Sequence, residues 1–349
     1  MTAKRITIQD VAREANVSVT TISRFLNARY EAMSQETKKR IEQVIEELDY
    51  HPNALAQGLK GNRSRMIAVI VVKLSYPFCV SLIRSLSNAL TPEGYNVIVC
   101  ETEGDPKREA HVLKTLLGQQ IDAIVIQTNG DNLTELETIS KSVPVILVDR
   151  KFKLPHATNV LTDNYEASMK MTNHLYAEGY QNVFYVTETP NAISTRSERL
   201  QGYLDSSSRY HRTPHVEIVK RGDDVSMQSV VERIKENISK RPIALYTANA
   251  LIFHEIYPHV QQIDWPSPEK LGLATFDEPD WIKLISPSLT CVRQQVPEMG
   301  AWVANLLLQQ FKDGYEQPDE AHLKILPSEL IKSESTRLDR GDGTVSDTL

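Results

Sequence analysis

The side chains of this sequence that could do chemistry fall into two groups. At the C-terminal ends of short β-branched runs stand Ser75, Asp149, Arg150, Asn249 and Asp277, and Arg199 lies in the helix-like stretch Arg-Leu-Gln-Gly-Tyr. Parallel α/β sheets bind ligands at strand C-termini. An Arg fork beside a carboxylate recognises vicinal hydroxyls through paired donors and acceptors. The second group is N-terminal: Val19, Thr20 and Arg24 follow Ser18 at the start of a short apolar-periodic segment. On a helix in the DNA major groove, Arg pairs with guanine O6 and N7, and Thr bonds a base edge or touches a thymine methyl. Thr7, Ser18, Thr21, Ser23 and Asn27 carry hydroxyl or amide groups suited to phosphate, and capping suits Thr7 and Ser18 equally well.

Catalytic signatures are missing. No GxGxxG, GxxxxGK[ST] or GxSxG occurs. His254-Glu255 with His259 misses the HExxH spacing and encloses Pro258, and His211 and His215 lack a finger's paired cysteines. Cys79, Cys100 and Cys291 are odd in number and scattered, which argues against disulfides and a metal site. The sequence therefore predicts no enzyme, no metal and no cofactor.

These side chains need elements to hold them. Residues 6–50 read as short helices without a strand. Thr7 and Asp10 have capping-box spacing, Asn16-Val17 reads as a turn, and Ser18 and Ser34 are N-caps for a second and a third helix. Two short helices joined by a tight turn, with a third behind, form a helix-turn-helix head. From residue 66 the pattern changes. Strand-like runs at 66–72, 95–100, 123–127, 143–148, 182–186, 217–219, 243–247 and 271–276 alternate with helical segments at 78–90, 107–117, 165–178, 196–208, 227–239 and 298–311. This alternation predicts parallel sheets covered by helices, and the length suits two similar α/β lobes. The expected organisation is a head at 1–50, a hinge helix and linker at 51–65, a two-lobed core at 66–332, and a disordered tail at 333–349, which is polar and lacks apolar periodicity.

The chain has 349 residues and a net charge of −6, which by itself disfavours nucleic acid. Residues 1–65 nonetheless carry 11 basic against 8 acidic residues, leaving 28 against 37 for the rest. A small basic head on an acidic body suits a DNA-reading module fused to a regulatory domain. The seven-residue apolar run at 66–72 is far short of a membrane span, and MTAKRITIQD has no signal-peptide pattern, so a cytoplasmic protein with no membrane partner is expected.

The stretches ITIQDVAREANVSVTTISRFLN and MSQETKKRIEQVIEELDYHPNALAQGLK resemble the head of the lactose-repressor (LacI/GalR) family of bacterial transcription regulators. Weaker likenesses, VPVILVDR, RSERLQGY, LYTAN, LATFD and PSLTCVRQQVPEMG, extend it from about residue 6 to 332. The resemblance implies a helix-turn-helix head, a hinge helix and a core like periplasmic sugar-binding proteins. It also implies a homodimer on a palindromic double-stranded operator, with a small effector between the lobes. Val19 and Thr20 match the family's specificity positions and Arg24 its base-contacting Arg. Asn53 can cap a short helix at 54–59 that also meets phosphate. Leu59 matches the hinge leucine that wedges a central base step, and Lys60 follows where some members read the central pair. Six residues, one of them Gly58, are too few for a stable isolated helix. At the effector end, Arg199 and Asp277 match positions that hold sugar hydroxyls or a carboxylate, with Asp149 and Asn249 nearby.

Two departures stand out. Asn249-Ala250 replaces the family's frequent Asn-Asp, and Tyr76-Pro77-Phe78 replaces its Asn-Pro-Phe. Tyr76, Phe78, Phe276 and Trp281 are candidates for an apolar pocket wall, and FDEPDWIKLISPSLT looks like members responding to sugar acids, for which Arg150, Lys151 and Arg196 are carboxylate partners. The expected function is a repressor under a carbohydrate-type effector, a sugar acid. Rival readings are the same regulator under a corepressor protein, or a solute-binding protein.

Overall fold

The computed structural model describes residues 6–26, 29–30, 33–50, 63–190, 193–238, 242–262, 270–315 and 321–338. The expectations for Asn27, Asn53, Leu59, Lys60 and the tail beyond residue 338 lie outside them. The chain divides into two compact units, Met1–Arg65 and Met66–Leu349.

In the first unit, α1 (Ile8–Glu14), α2 (Val19–Leu26) and α3 (Gln35–Glu47) form because their caps and apolar spacing agree. Thr7 and Asp10 close a reciprocal capping box, and Ser34 Oγ accepts from Thr37 N at 3.2 Å. Asn16 turns the chain with a left-handed φ of 48°, a conformation Asn tolerates better than most residues. Val11, Ala12, Ala15, Ile22, Ile41, Val44 and Tyr50 bury one small shared core.

The second unit contains two six-stranded sheets. The first joins β1 (Met66–Val71), β2 (Asn96–Glu101), β3 (Ala123–Ile126), β4 (Val145–Val148), β5 (Thr158–Thr162) and β11 (His322–Leu326) in the order β11-β5-β4-β3-β1-β2. The second joins β6 (Asn182–Thr187), β7 (His215–Ile218), β8 (Ile243–Thr247), β9 (Leu271–Phe276), β10 (Thr290–Arg293) and β12 (Glu329–Ile331) in the order β12-β10-β9-β8-β6-β7. Pairing is parallel except between β10 and β12. The two lobes thus repeat one topology that no sequence period announces.

Period-2 alternation explains the layers of the first lobe. Ile67, Val69, Val71, Val125, Ile146 and Val148 face α4 (Pro77–Leu90) and α11 (Val296–Asp313) through Leu82, Leu86, Met299 and Val303. Ala68, Ile70, Ile124, Ile126 and Leu147 face α5 (Pro106–Gly118) and α6 (Leu133–Ser140) through Leu113, Leu116 and Leu136. The second lobe packs α7 (Asn164–Glu178), α8 (Ser194–Arg209), α9 (Asp224–Ile238) and α10 (Ala250–Gln261) around Val183, Tyr185, Leu245, Tyr246 and Leu273.

Several sequence expectations are corrected here. The strand expected at 217–219 lies at His215–Ile218, and β5, β10, β11 and β12 were not foreseen, being short or polar. Neither was α10, which accommodates Pro258. The disorder expected from residue 333 does not hold for 333–338. Ser335 and Thr336 are fully buried. Ser335 Oγ accepts from Thr290 N at 2.8 Å and donates to Leu273 O at 2.6 Å, while Thr336 Oγ1 meets Thr290 Oγ1 at 2.6 Å and His174 Nε2 at 3.0 Å. A segment held by polar side chains leaves no apolar signal to read.

Two glycines test the packing. Adding a Cβ at Gly202 places it 2.3 Å from Tyr165 O and 3.0 Å from Met169 N, so α7 and α8 must separate. A Cβ at Gly118 meets nothing within 4 Å. Helix propensity alone favours Ala at both sites by about 1 kcal/mol. We expect Gly118→Ala to be neutral or stabilising and Gly202→Ala to destabilise by about 1–3 kcal/mol, read as opposite shifts in the thermal unfolding of the core.

Candidate functional site

In the head, α2 buries Ile22 and leaves Val19 42% exposed, with Thr20 and Arg24 also exposed. Val19 is therefore not core, and these three side chains share the solvent side of the helix. Ser18 Oγ accepts from Thr21 N at 3.1 Å and meets Thr21 Oγ1 at 2.9 Å, so the two hydroxyls that suit phosphate also form the cap. Thr7 is spent similarly, its hydroxyl donating to Asp10 Oδ2 at 2.6 Å. Ser23 is half-buried.

In the core, the C-terminal strand ends of the two lobes face each other across a cavity of about 430 Å³. The first lobe lines it with Lys73, Tyr76, Glu103, Gln127, Asn129, Asp149 and Arg150, and the second with Glu188, Thr195, Arg196, Arg199, Arg221 and Asn249. Asp149 and Asp277 occupy equivalent places, each just past the fourth strand of the repeated topology, and both have left-handed φ, 69° and 78°. Such backbone strain gathers at functional sites.

Arg199 is the deepest charge. Its Nε donates to Asn164 Oδ1 and its Nη1 to Ala248 O, both at 2.8 Å. Its guanidinium lies 3.5 Å over the Phe276 ring, and its Nη2 has no hydrogen-bond partner. Burial works against its charge, and Tyr76, Asp277 and Asp149 outweigh that, holding its pKa above the ordinary value. From the other lobe, Arg150 Nη1 donates to Thr128 O at 3.3 Å and to Asn129 Oδ1, while its buried Nε makes no hydrogen bond and lies 3.8 Å from Asp149 Oδ2. Asp149 accepts from Gln127 Nε2 at 2.6 Å. Burial raises its pKa, with Arg150 and Arg199 opposing. Arg196 is neutralised by Glu188 at 2.8 Å, and Arg221 by Glu255 at 3.0 Å.

The structure thus brings Asp149, Arg150, Arg199 and Asn249 to one cavity, although Asn249 Oδ1 also caps α10, accepting from Ile252 N at 3.0 Å. Ser75 is a correction: it is exposed on the turn after β1 and does not line the cavity, where Tyr76 takes its place. Asp277 does not line it either. It accepts from Tyr76 Oη at 3.1 Å, Ala250 N at 3.3 Å and Gln294 Nε2, and walls a second cavity of about 390 Å³ beside Pro77, Phe78 and Gln294. Burial and the Asp277 charge raise the Tyr76 pKa well above its ordinary value, so the phenol remains a donor. Lys151 lines a separate depression near Asn164. Phe276 lies under Arg199, and Trp281 stacks on Phe253, 6.3 Å between centroids, in the core of its lobe. Sequence reasoning missed Gln127, Asn129 and Arg221, and the one available signal was a polar residue closing a β-branched run. Among the described residues, no cluster of His, Cys, Asp and Glu could hold a metal, and no helix is long and apolar enough to cross a membrane.

Residues 7–53 match the family model "Bacterial regulatory proteins, lacI family", and residues 64–325 match "Periplasmic binding proteins and sugar binding domain of LacI family". The chain is 29% identical over 330 residues to the HTH-type transcriptional regulator KdgR of Bacillus subtilis (strain 168), covering 93% of this chain and 97% of that one. It is likewise 29% identical over 332 residues to the HTH-type transcriptional regulator PtxS of Pseudomonas aeruginosa, covering 95% and 96%. The lac repressor dimer bound to operator and the anti-inducer ONPF has the same fold, with a TM-score of 0.81 at 21% identity over 95% of this chain and 99% of that one. The relatives are transcriptional regulators, not enzymes, and this chain belongs to the LacI family: it is a DNA-binding transcriptional regulator with a helix-turn-helix head and a two-lobed, periplasmic-binding-protein-like core.

Proposed function

We propose that the protein is a repressor that binds a palindromic operator as a homodimer and answers to a carbohydrate-type effector bearing a carboxylate, a sugar acid, held between its lobes. One observation carries the effector class. Two guanidinium groups from opposite lobes, Arg150 and Arg199, each keep a buried N–H that makes no hydrogen bond beside the same cavity, Arg150 Nε having only the Asp149 carboxylate at 3.8 Å. An unmet buried donor is costly, and a ligand rich in acceptor oxygens meets both at once. An effector that bridges the lobes has different affinities for different lobe angles and shifts their population. In the proposed dimer that angle controls whether the hinge segments, with Leu59 and Lys60, pair in the minor groove, where an apolar wedge kinks the duplex. On the DNA side, Val19, Thr20 and Arg24 read base edges, with Thr7, Ser18, Thr21, Ser23, Asn27 and Asn53 on phosphates. The dimer reading is supported by the lac repressor, solved as a dimer on operator. A partner protein acting as corepressor is the rival, and buried donors that line a cleft between the lobes favour a small molecule.

Two experiments test this. In a binding-site selection, Arg24→Ala should relax preference at one base pair of each half-site, costing about 1–3 kcal/mol; a uniform loss across sequences would make Arg24 a phosphate contact. In a thermal-shift screen of sugars and the corresponding acids, the acids should raise the unfolding temperature, and Arg150→Gln should weaken their binding roughly ten- to hundredfold. A stronger response to neutral sugars would overturn the sugar-acid reading.

A further inference from the structure

We propose that Tyr76 sets effector specificity by withdrawing Asp277 from the effector cavity. The assignment rests on the reading of the 430 Å³ cavity as the effector site. By topology Asp277 is the counterpart of Asp149, and the two would be expected to face the ligand from opposite lobes. Only Asp149 does so. The Tyr76 hydroxyl crosses from the first lobe and donates to Asp277 Oδ2 at 3.1 Å, an oxygen that also takes Ala250 N at 3.3 Å, and Gln294 holds Oδ1. Tyr76 lines the 430 Å³ cavity, whereas Asp277 lines the 390 Å³ cavity. The Tyr76 hydroxyl therefore takes up Oδ2 from the cavity side, while the carboxylate itself lines only the second cavity.

The chemistry follows from what each side retains. A neutral sugar presents hydroxyl donors that need acceptors, and a carboxylate such as Asp277 is the strongest acceptor a protein can offer. With Asp277 occupied, and with Asp149, Glu188 and Glu103 engaged by Gln127, Arg196 and Arg108, the cavity keeps the N–H groups of Arg150 and Arg199 that make no hydrogen bond and favours acceptor-rich acids over neutral sugars. Tyr76→Phe frees Oδ2 while keeping the ring, and Tyr76→Ala removes hydroxyl and ring together.

The test measures binding of D-gluconate and D-glucose to the full chain by calorimetry. Tyr76→Phe should raise the glucose-to-gluconate affinity ratio roughly tenfold, the worth of one hydrogen bond to a charged group, and Tyr76→Ala should raise it at least as much. An unchanged ratio in both variants overturns the proposal. If the wild-type chain binds neither probe, the sugar-acid reading fails separately. Gain of glucose binding in Tyr76→Phe then still supports withdrawal of Asp277 by the hydroxyl, and no gain overturns it. A ligand-free double-mutant cycle of Tyr76→Phe with Asp277→Asn, followed by thermal unfolding, decides the bond itself. Non-additive shifts are expected, and additive shifts overturn it.

Discussion

A charge removed from water must be surrounded, and the core of this protein is arranged around one such charge, the guanidinium of Arg199. Burying an unpaired ion costs several kcal/mol, so the neighbouring elements are specified by what they supply. The start of α7 supplies Asn164, the turn after β8 supplies the Ala248 carbonyl, and the end of β9 supplies the face of Phe276. Asp149 and Asp277 supply opposing charge from the two lobes. One N–H is left over, and a ligand can complete the set.

The segments that cross between lobes are tied to the same network. Thr162 donates to Gln294, which donates to Asp277, and Ser328 N donates to Asp163 Oδ1 at 2.7 Å. Asp277 is also held by Tyr76 from the opposite lobe. A change in the angle between the lobes cannot leave these bonds as they are, because hydrogen bonds weaken steeply with distance and misalignment. This is a physical route by which a ligand confined to the cavity could bias the relative position of whole lobes.

The legibility of the sequence followed the range of the interactions. The head could be read almost residue by residue, because capping at Thr7 and Ser34, the left-handed Asn16 and the stripe of Val11, Ile22 and Ile41 are local features. The parallel sheets were legible from buried β-branched runs such as 66–71, since both faces of those strands are covered. The strand Thr158–Thr162 and the buried Ser335 and Thr336 were not, because polar residues held by distant partners carry no periodicity. The net charge of −6 conceals the basic excess of residues 1–65, because charge acts locally and a sum over the chain does not.

By itself the sequence determined the domain order, the three head helices, the alternation of strands and helices, and which polar residues end the strands. Those properties depend on neighbours a few positions away and on hydrophobic period. Only the tertiary structure decided which strand-end residues meet. It put Tyr76 rather than Ser75 in the cavity wall, gave Asp149 to the cavity, and bonded Asp277 to a phenol 201 residues distant in the chain. The reason is geometric: these contacts arise where two separately wound sheets oppose their C-terminal ends, and no local rule carries that register.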